Sequence, residues 1–173
     1  MGRPGNSSGG GQRGNEHTAS YKPQHGVGLL QIVHRASARA SVQTGLAITT
    51  HGVQSDVGLA QLKIFTEEGV DPSRVVIGHA DSFLDIDFYL AVLDAGANLQ
   101  FDFLGHRFGV EEGMEPRLVE TTVELVDRGF APQLLLSQDV CHNRQLKAYG
   151  GFGYVYLHQH FLPTLRTAAV GEG

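Results

Sequence analysis

The sequence predicts an α/β fold of about four parallel βα units. Three observations carry this. Four short apolar runs rich in β-branched residues recur along the chain, each closing on a polar residue. Helical patterns lie between them, and strands alternating with helices form parallel sheets through right-handed crossovers. The closing residues His51, His79, Asp102 and Asp139 are separated by 28, 23 and 37 positions. Each interval suits one βα unit, with a longer loop in the third.

The elements follow in order. Residues 1–26 read as a disordered Gly-rich tail: the first 14 hold six of the 23 glycines and nothing apolar to offset the entropy of ordering. Residues 27–45 lead in, with an Ala-rich helix over 32–44 stopped by Gly45, and residues 46–173 form the main body. The run GLAITTH ends at His51. A helix over 56–68 sets Leu59, Leu62 and Phe65 on one face and stops at Gly69, before the Asp71-Pro72 turn. RVVIGH ends at His79. A helix over 85–95 sets Ile86, Leu90 and Leu93 on one face, before Gly96. ANLQFD ends at Asp102. Glu115-Pro116 opens a helix over 116–128 that buries Val119, Val123 and Val126. QLLLSQD ends at Asp139. Residues 153–168 read as a helix broken or kinked at Pro163.

Composition narrows the function. The length of 173 residues suits one domain. The net charge of -5 argues against a nucleic-acid surface. Charge is uneven: residues 1–50 sum to +4 and residues 51–173 to -9. The single Cys141 excludes an internal disulfide framework or a CxxC zinc knuckle. No apolar run approaches the ~20 residues of a membrane helix. The N-terminus has no apolar signal segment, so a cytoplasmic location is expected.

Ligands bind parallel α/β folds at the carboxyl ends of the strands. Here those ends carry two His and two Asp. These are natural zinc ligands, and carboxylates also suit manganese. A metal so held makes a bound water nucleophilic near neutral pH. Any one of these residues also reads as a hydrogen-bonding surface group; four in succession point to a shared metal or acid–base site.

Four phrases bear a resemblance: TGLAITTHG, EEGVDPSRVVIGHADS, DFYLAVLDAGANLQFD and LLLSQDVCHNRQLKAYGG with GFGY after it. In order and spacing, the stretch from about Gly45 to Arg166 resembles the C-terminal half of the phosphotriesterase family, within the amidohydrolase superfamily. The resemblance implies a partial (β/α)8 TIM barrel, strands five to eight. It also implies a metal-dependent, usually zinc, hydrolase of phosphotriesters, lactones or related small esters. By resemblance His51, His79 and Asp139 are metal ligands, and Asp139 also takes the proton in catalysis. Asp81 sits in a GHxD phrase and would orient His79 or the substrate loop. Asp102 would back a ligand, and His106 and Arg107 would reach the substrate.

The family's HxH pair and bridging Lys have no counterpart, because the 45 residues before the match are too few for strands one to four. The ligands present would hold at most one zinc of the family's two. The alternatives are a non-catalytic truncated fragment or an α/β module that binds a metal or small anion. The one HxH, His158-Gln159-His160, lies in a predicted helix, where positions i and i+2 face different ways. Lys22, Lys63 and Lys147 read as solvated, and His25 and His34 as incidental. Cys141-His142 reads as a loop without the third group of a nucleophilic site. Residues 149–154 form an aromatic-glycine loop, either a pocket wall or a connector. Open sheet edges predict self-association.

Overall fold

The computed structural model describes residues 24–53, 55–106 and 113–170. The tail over 1–23, with Lys22, and Arg107 lie outside the described residues. Helix α1 spans Gln24–Thr44, so helical structure begins inside the stretch expected to be tail. The other elements are β1 (Ile48–Thr49), α2 (Val57–Glu67), β2 (Val75–Ile77), α3 (Ile86–Asp94), β3 (Asn98–Phe101), α4 (Met114–Asp127) and β4 (Leu134–Leu136). A π-helical turn over Leu157–Phe161 then runs into α5 (Leu162–Val170). The widened turn falls just before Pro163. A proline ring clashes with the carbonyl four residues back, so the break expected there is met by one looser turn rather than an interruption.

The strands form one parallel sheet in the order β1-β2-β3-β4. Register pairs Ile48 with Val75, Ile77 with Leu99, and Leu99 with Leu134. Sequential order with right-handed crossovers puts every connecting helix on the same face. Helix α1 packs on α2, α2 on α3, and α4 on α5. This is an arc of a barrel, as expected.

The pleat sorts side chains between the two faces. On the helix side Val75, Ile77, Leu99 and Phe101 are buried, against Leu62, Phe65, Tyr89, Val92 and Leu93. Helix α2 approaches so closely that a Cβ on Gly58 would lie 2.6 Å from Ile77 Cγ2. The Asp85 carboxylate caps α3 by accepting the Phe88 N–H at 2.9 Å. Across the sheet Thr49 is exposed, Val76 and Gln100 are half-buried and Leu135 is 38% exposed. Among the described residues this face has no second layer, and β1 and β4 are open edges. The strands are shorter than the apolar runs, and the ladder extends past them through Thr50 N–H to Val76 O (2.9 Å) and Ser137 N–H to Phe101 O (2.8 Å).

Gly78 fixes the end of β2. A Cβ there would stand 2.3 Å from the Thr50 carbonyl oxygen, which is backbone and cannot yield. Gly78→Ala is expected to cost about 1–3 kcal/mol and to lower the melting temperature by several degrees in a thermal melt. The open edges and bare face predict an apparent mass above one chain in light scattering at micromolar concentration; a sharp monomer peak contradicts this.

Candidate active site

The four predicted strand-end residues cluster at the carboxyl end of the sheet, and three of them are in direct contact. His79 Nδ1 lies 2.7 Å from Asp102 Oδ1, and its backbone N–H reaches Asp102 Oδ2 at 3.2 Å. His79 Nε2 lies 2.8 Å from His51 Nδ1. A carboxylate only accepts, so His79 Nδ1–H donates to Asp102 and the lone pair lies on Nε2. His51 Nδ1 therefore donates to it. Asp102 is 2% exposed, and Gln100 Nε2 adds a further hydrogen bond at 2.7 Å.

Two further residues hold His79. Phe103 stacks on its ring at 4.7 Å with planes 5° apart. Asp81 Oδ2 accepts the Phe103 N–H at 2.7 Å, so Asp81 is linked to the His79 ring through Phe103. Asp81 is 4% exposed and its Oδ1 has no partner among the described residues. Burial pushes its pKa up to about 7, against the pull of the Phe103 N–H, and the Asp102 charge adds to the rise. The Tyr89 hydroxyl, from the buried face of α3, ties down the same turn by donating to Ala80 O at 2.9 Å.

Asp139 reaches the same cleft from the loop after β4. The cleft measures about 460 Å³, within the range of small-molecule sites. His51, His79, Phe103, His106, Asp139, Arg144 and Phe152 are among its walls. Among described non-glycine residues only His79 (φ 55°) and Asp139 (φ 39°) have left-handed backbone. Such conformations cost free energy and concentrate at functional sites.

The loop is organised by Gln145, which sequence reasoning missed. Its Oε1 accepts the N–H groups of Cys141 (2.8 Å) and His142 (2.7 Å), and its Nε2 donates to Asp139 O at 3.1 Å. Gln145 Nε2 also lies 2.7 Å from His106 Nε2, which is 2.9 Å from Gln138 O. Gln100 and Phe103 were missed as well: an amide or a phenylalanine in an apolar run carries no distinctive signal.

The remaining candidates divide between this cleft and other surfaces. His158 and His160 are exposed outside this cleft, and His160 stacks on Tyr156 at 5.0 Å. Lys63 is exposed on α2, and the stem of Lys147 covers Gly153. The Cys141 thiol lies 3.8 Å from Asp139 Oδ2, while the His142 ring accepts a backbone N–H from Gln145. They make no thiol–imidazole pair. Phe152 of the aromatic-glycine loop is a cleft wall, as one of the two readings expected.

The donor set can be tested against the implied metal. Two imidazole nitrogens converge, and a carboxylate behind one fixes its tautomer, as in metal-bound histidines. Asp139 stands apart: no three His, Cys, Asp or Glu among the described residues come together to hold a metal. The residues fit two positions of such a centre and leave the third open.

Comparison with known proteins agrees with this architecture. A sequence profile of the phosphotriesterase family matches residues 25–173. The Escherichia coli phosphotriesterase homology protein is 38% identical over 144 residues, which cover 83% of this chain and 48% of that protein. Its crystal structure, with phosphate in the active site, superposes with a TM-score of 0.75 over 81% of this chain and 47% of that one. An N-acetyltaurine hydrolase of Dictyostelium discoideum is 33% identical over 76% of this chain and 38% of its own length. An aryldialkylphosphatase of Saccharolobus solfataricus is 34% identical, over 65% and 35%. The chain thus spans about half or less of these relatives. With a profile match across most of its length and a sheet that superposes on a family barrel, the chain belongs to the phosphotriesterase family.

Proposed function

We propose that the chain carries the strand-five-to-eight side of a phosphotriesterase-type hydrolase site, acting on phosphotriesters, lactones or related small esters with zinc as cofactor. The observation that supports this best is the Asp102–His79–His51 chain of hydrogen bonds, aimed into a cleft that Asp139 also lines. His51, His79 and Asp139 would hold the metal. When bound, zinc supplies Lewis-acid activation of water and of the scissile bond.

The chain's own residues do the rest. Asp102 keeps the proton on His79 Nδ1, so that Nε2 faces the cleft with its lone pair. His51, whose Nδ1 proton meets that lone pair, would be the second imidazole ligand in its other tautomer. Asp139, which lines the same cleft, would complete the set and would accept the proton of the attacking water. Phe103 and Phe152 present apolar walls that restrict water around the reacting group. A second reading, a module that binds metal or a small anion without turnover, draws on the open third position.

Two measurements separate these outcomes. Zinc content by atomic emission after dialysis should approach one per chain and fall to background in His51→Ala; equal content in both excludes the His51 site. Asp102→Asn should weaken zinc binding about 10–100-fold by releasing the His79 tautomer, measured by competition with a chromogenic chelator. Hydrolysis of an aryl ester or lactone by the zinc-loaded chain, lost in Asp139→Asn, favours the hydrolase; zinc binding without turnover favours the module.

A further inference from the structure

We infer that His106 is a positioning residue for Asp139. From the loop after β3 it holds, together with Gln145, the peptide units on either side of Asp139, and so sets where that carboxylate stands. What Asp139 then does rests on the hydrolase reading above; the hold itself rests on the geometry.

Asp139 requires a hold from outside. Its φ of 39° is left-handed, and a residue with a side chain keeps such a backbone only where its surroundings over-determine it. The carboxylate contributes little, for it is exposed, and its one partner among the described residues is the Cys141 thiol at 3.8 Å. The backbone is gripped instead. Peptide units are planar, so φ and ψ of Asp139 are the rotations of the two flanking planes about its Cα. The plane before it carries Gln138 O, 2.9 Å from His106 Nε2. The plane after it carries Asp139 O, which accepts Gln145 Nε2–H at 3.1 Å.

Gln145 Nε2 in turn lies 2.7 Å from His106 Nε2. The Gln145 amide cannot turn over, because its Oε1 accepts the N–H groups of Cys141 and His142. An imidazole nitrogen either donates or accepts. One tautomer of His106 therefore donates to Gln138 O. The other accepts from Gln145 and steadies the amide that bonds Asp139 O. Either way His106 bears on a plane beside Asp139.

His106 is itself braced. Its N–H donates to Phe103 O at 3.0 Å, and its ring lies 4.9 Å from that of Phe103. Phe103 stacks in turn on His79 at 4.7 Å. Beneath this turn Gly105 runs so close to Tyr156 that a Cβ would lie 2.6 Å from the ring Cγ. The rings of His79, Phe103 and His106 thus form a row from the imidazole pair to the loop after β4. That row sets the gap between the pair and Asp139, which neither strand end fixes alone.

Amide exchange in the zinc-free full chain, followed by NMR, tests the hold. His106→Leu removes both contacts of Nε2. Exchange at Cys141 and His142, whose N–H groups rest on Gln145, should rise roughly tenfold, while the amides of β2 and β3 keep their parent rates. His106→Gln returns an amide to the place of Nε2 and should restore the protection. Zinc affinity by chelator competition tests the action through Asp139. His106→Leu should weaken it about tenfold in the parent and leave it unchanged in an Asp139→Asn background. Exchange that stays at the parent rate in His106→Leu, or does not recover in His106→Gln, overturns the hold. Equal losses of zinc affinity with and without the Asp139 carboxylate overturn the positioning role. Faster exchange that His106→Gln reverses, in a chain that binds no zinc, supports the hold and overturns the hydrolase reading instead.

Discussion

The contact between Asp102 and His79 is the constraint on which the site depends. A buried carboxylate is expensive unless its oxygens are satisfied. Asp102 meets that demand with a ring N–H, a backbone N–H and the Gln100 amide. In return it fixes the His79 tautomer and aims a lone pair at His51. The strand ends must then stay in register to within a fraction of an ångström. Gly78 permits this by letting β2 close on the Thr50 carbonyl, and Val76 and Thr50 continue the ladder beside it.

Around this contact the structure spends free energy in two places. His79 and Asp139 adopt left-handed backbone without being glycine, and Asp81 keeps an unpartnered oxygen away from water. Packing on the helix face offsets these costs. Phe101, Leu99 and Ile77 lie under α2 and α3, and Tyr89 joins the core to the turn below His79 through its hydroxyl. The site is strained at its tip and held from beneath.

Much of this was legible in the sequence. Apolar runs that end in His or Asp, at intervals of one βα unit, marked the parallel sheet and the site residues together, because the same strand termination produces both. His51, His79 and Asp102 meet in one chain of hydrogen bonds. Asp139 shares their cleft but stands apart, a distance set by the loop after β4 that no spacing encodes. Gln145, Gln100 and Phe103 were invisible for a related reason: each acts through one specific tertiary contact, and nothing in its type or neighbours foretells that contact. The start of α1 was missed because glycine and polar residues around Gln24 and Gly28 mask the helical pattern. The widened turn before Pro163 follows from proline sterics, yet a kink satisfies the same clash, so local chemistry left both open.

The uncovered sheet face bears on the site in one further way. Gln100 belongs to that face and holds the far oxygen of Asp102, so a single amide joins the bare surface to the imidazole pair. Water standing on Gln100 competes for its amide and loosens the grip on Asp102. A layer laid over the sheet removes that competitor and strengthens the bond in a drier setting. The bare sheet face and the cleft are therefore joined through one side chain, so whatever wets or covers that face bears on how firmly Asp102 is held.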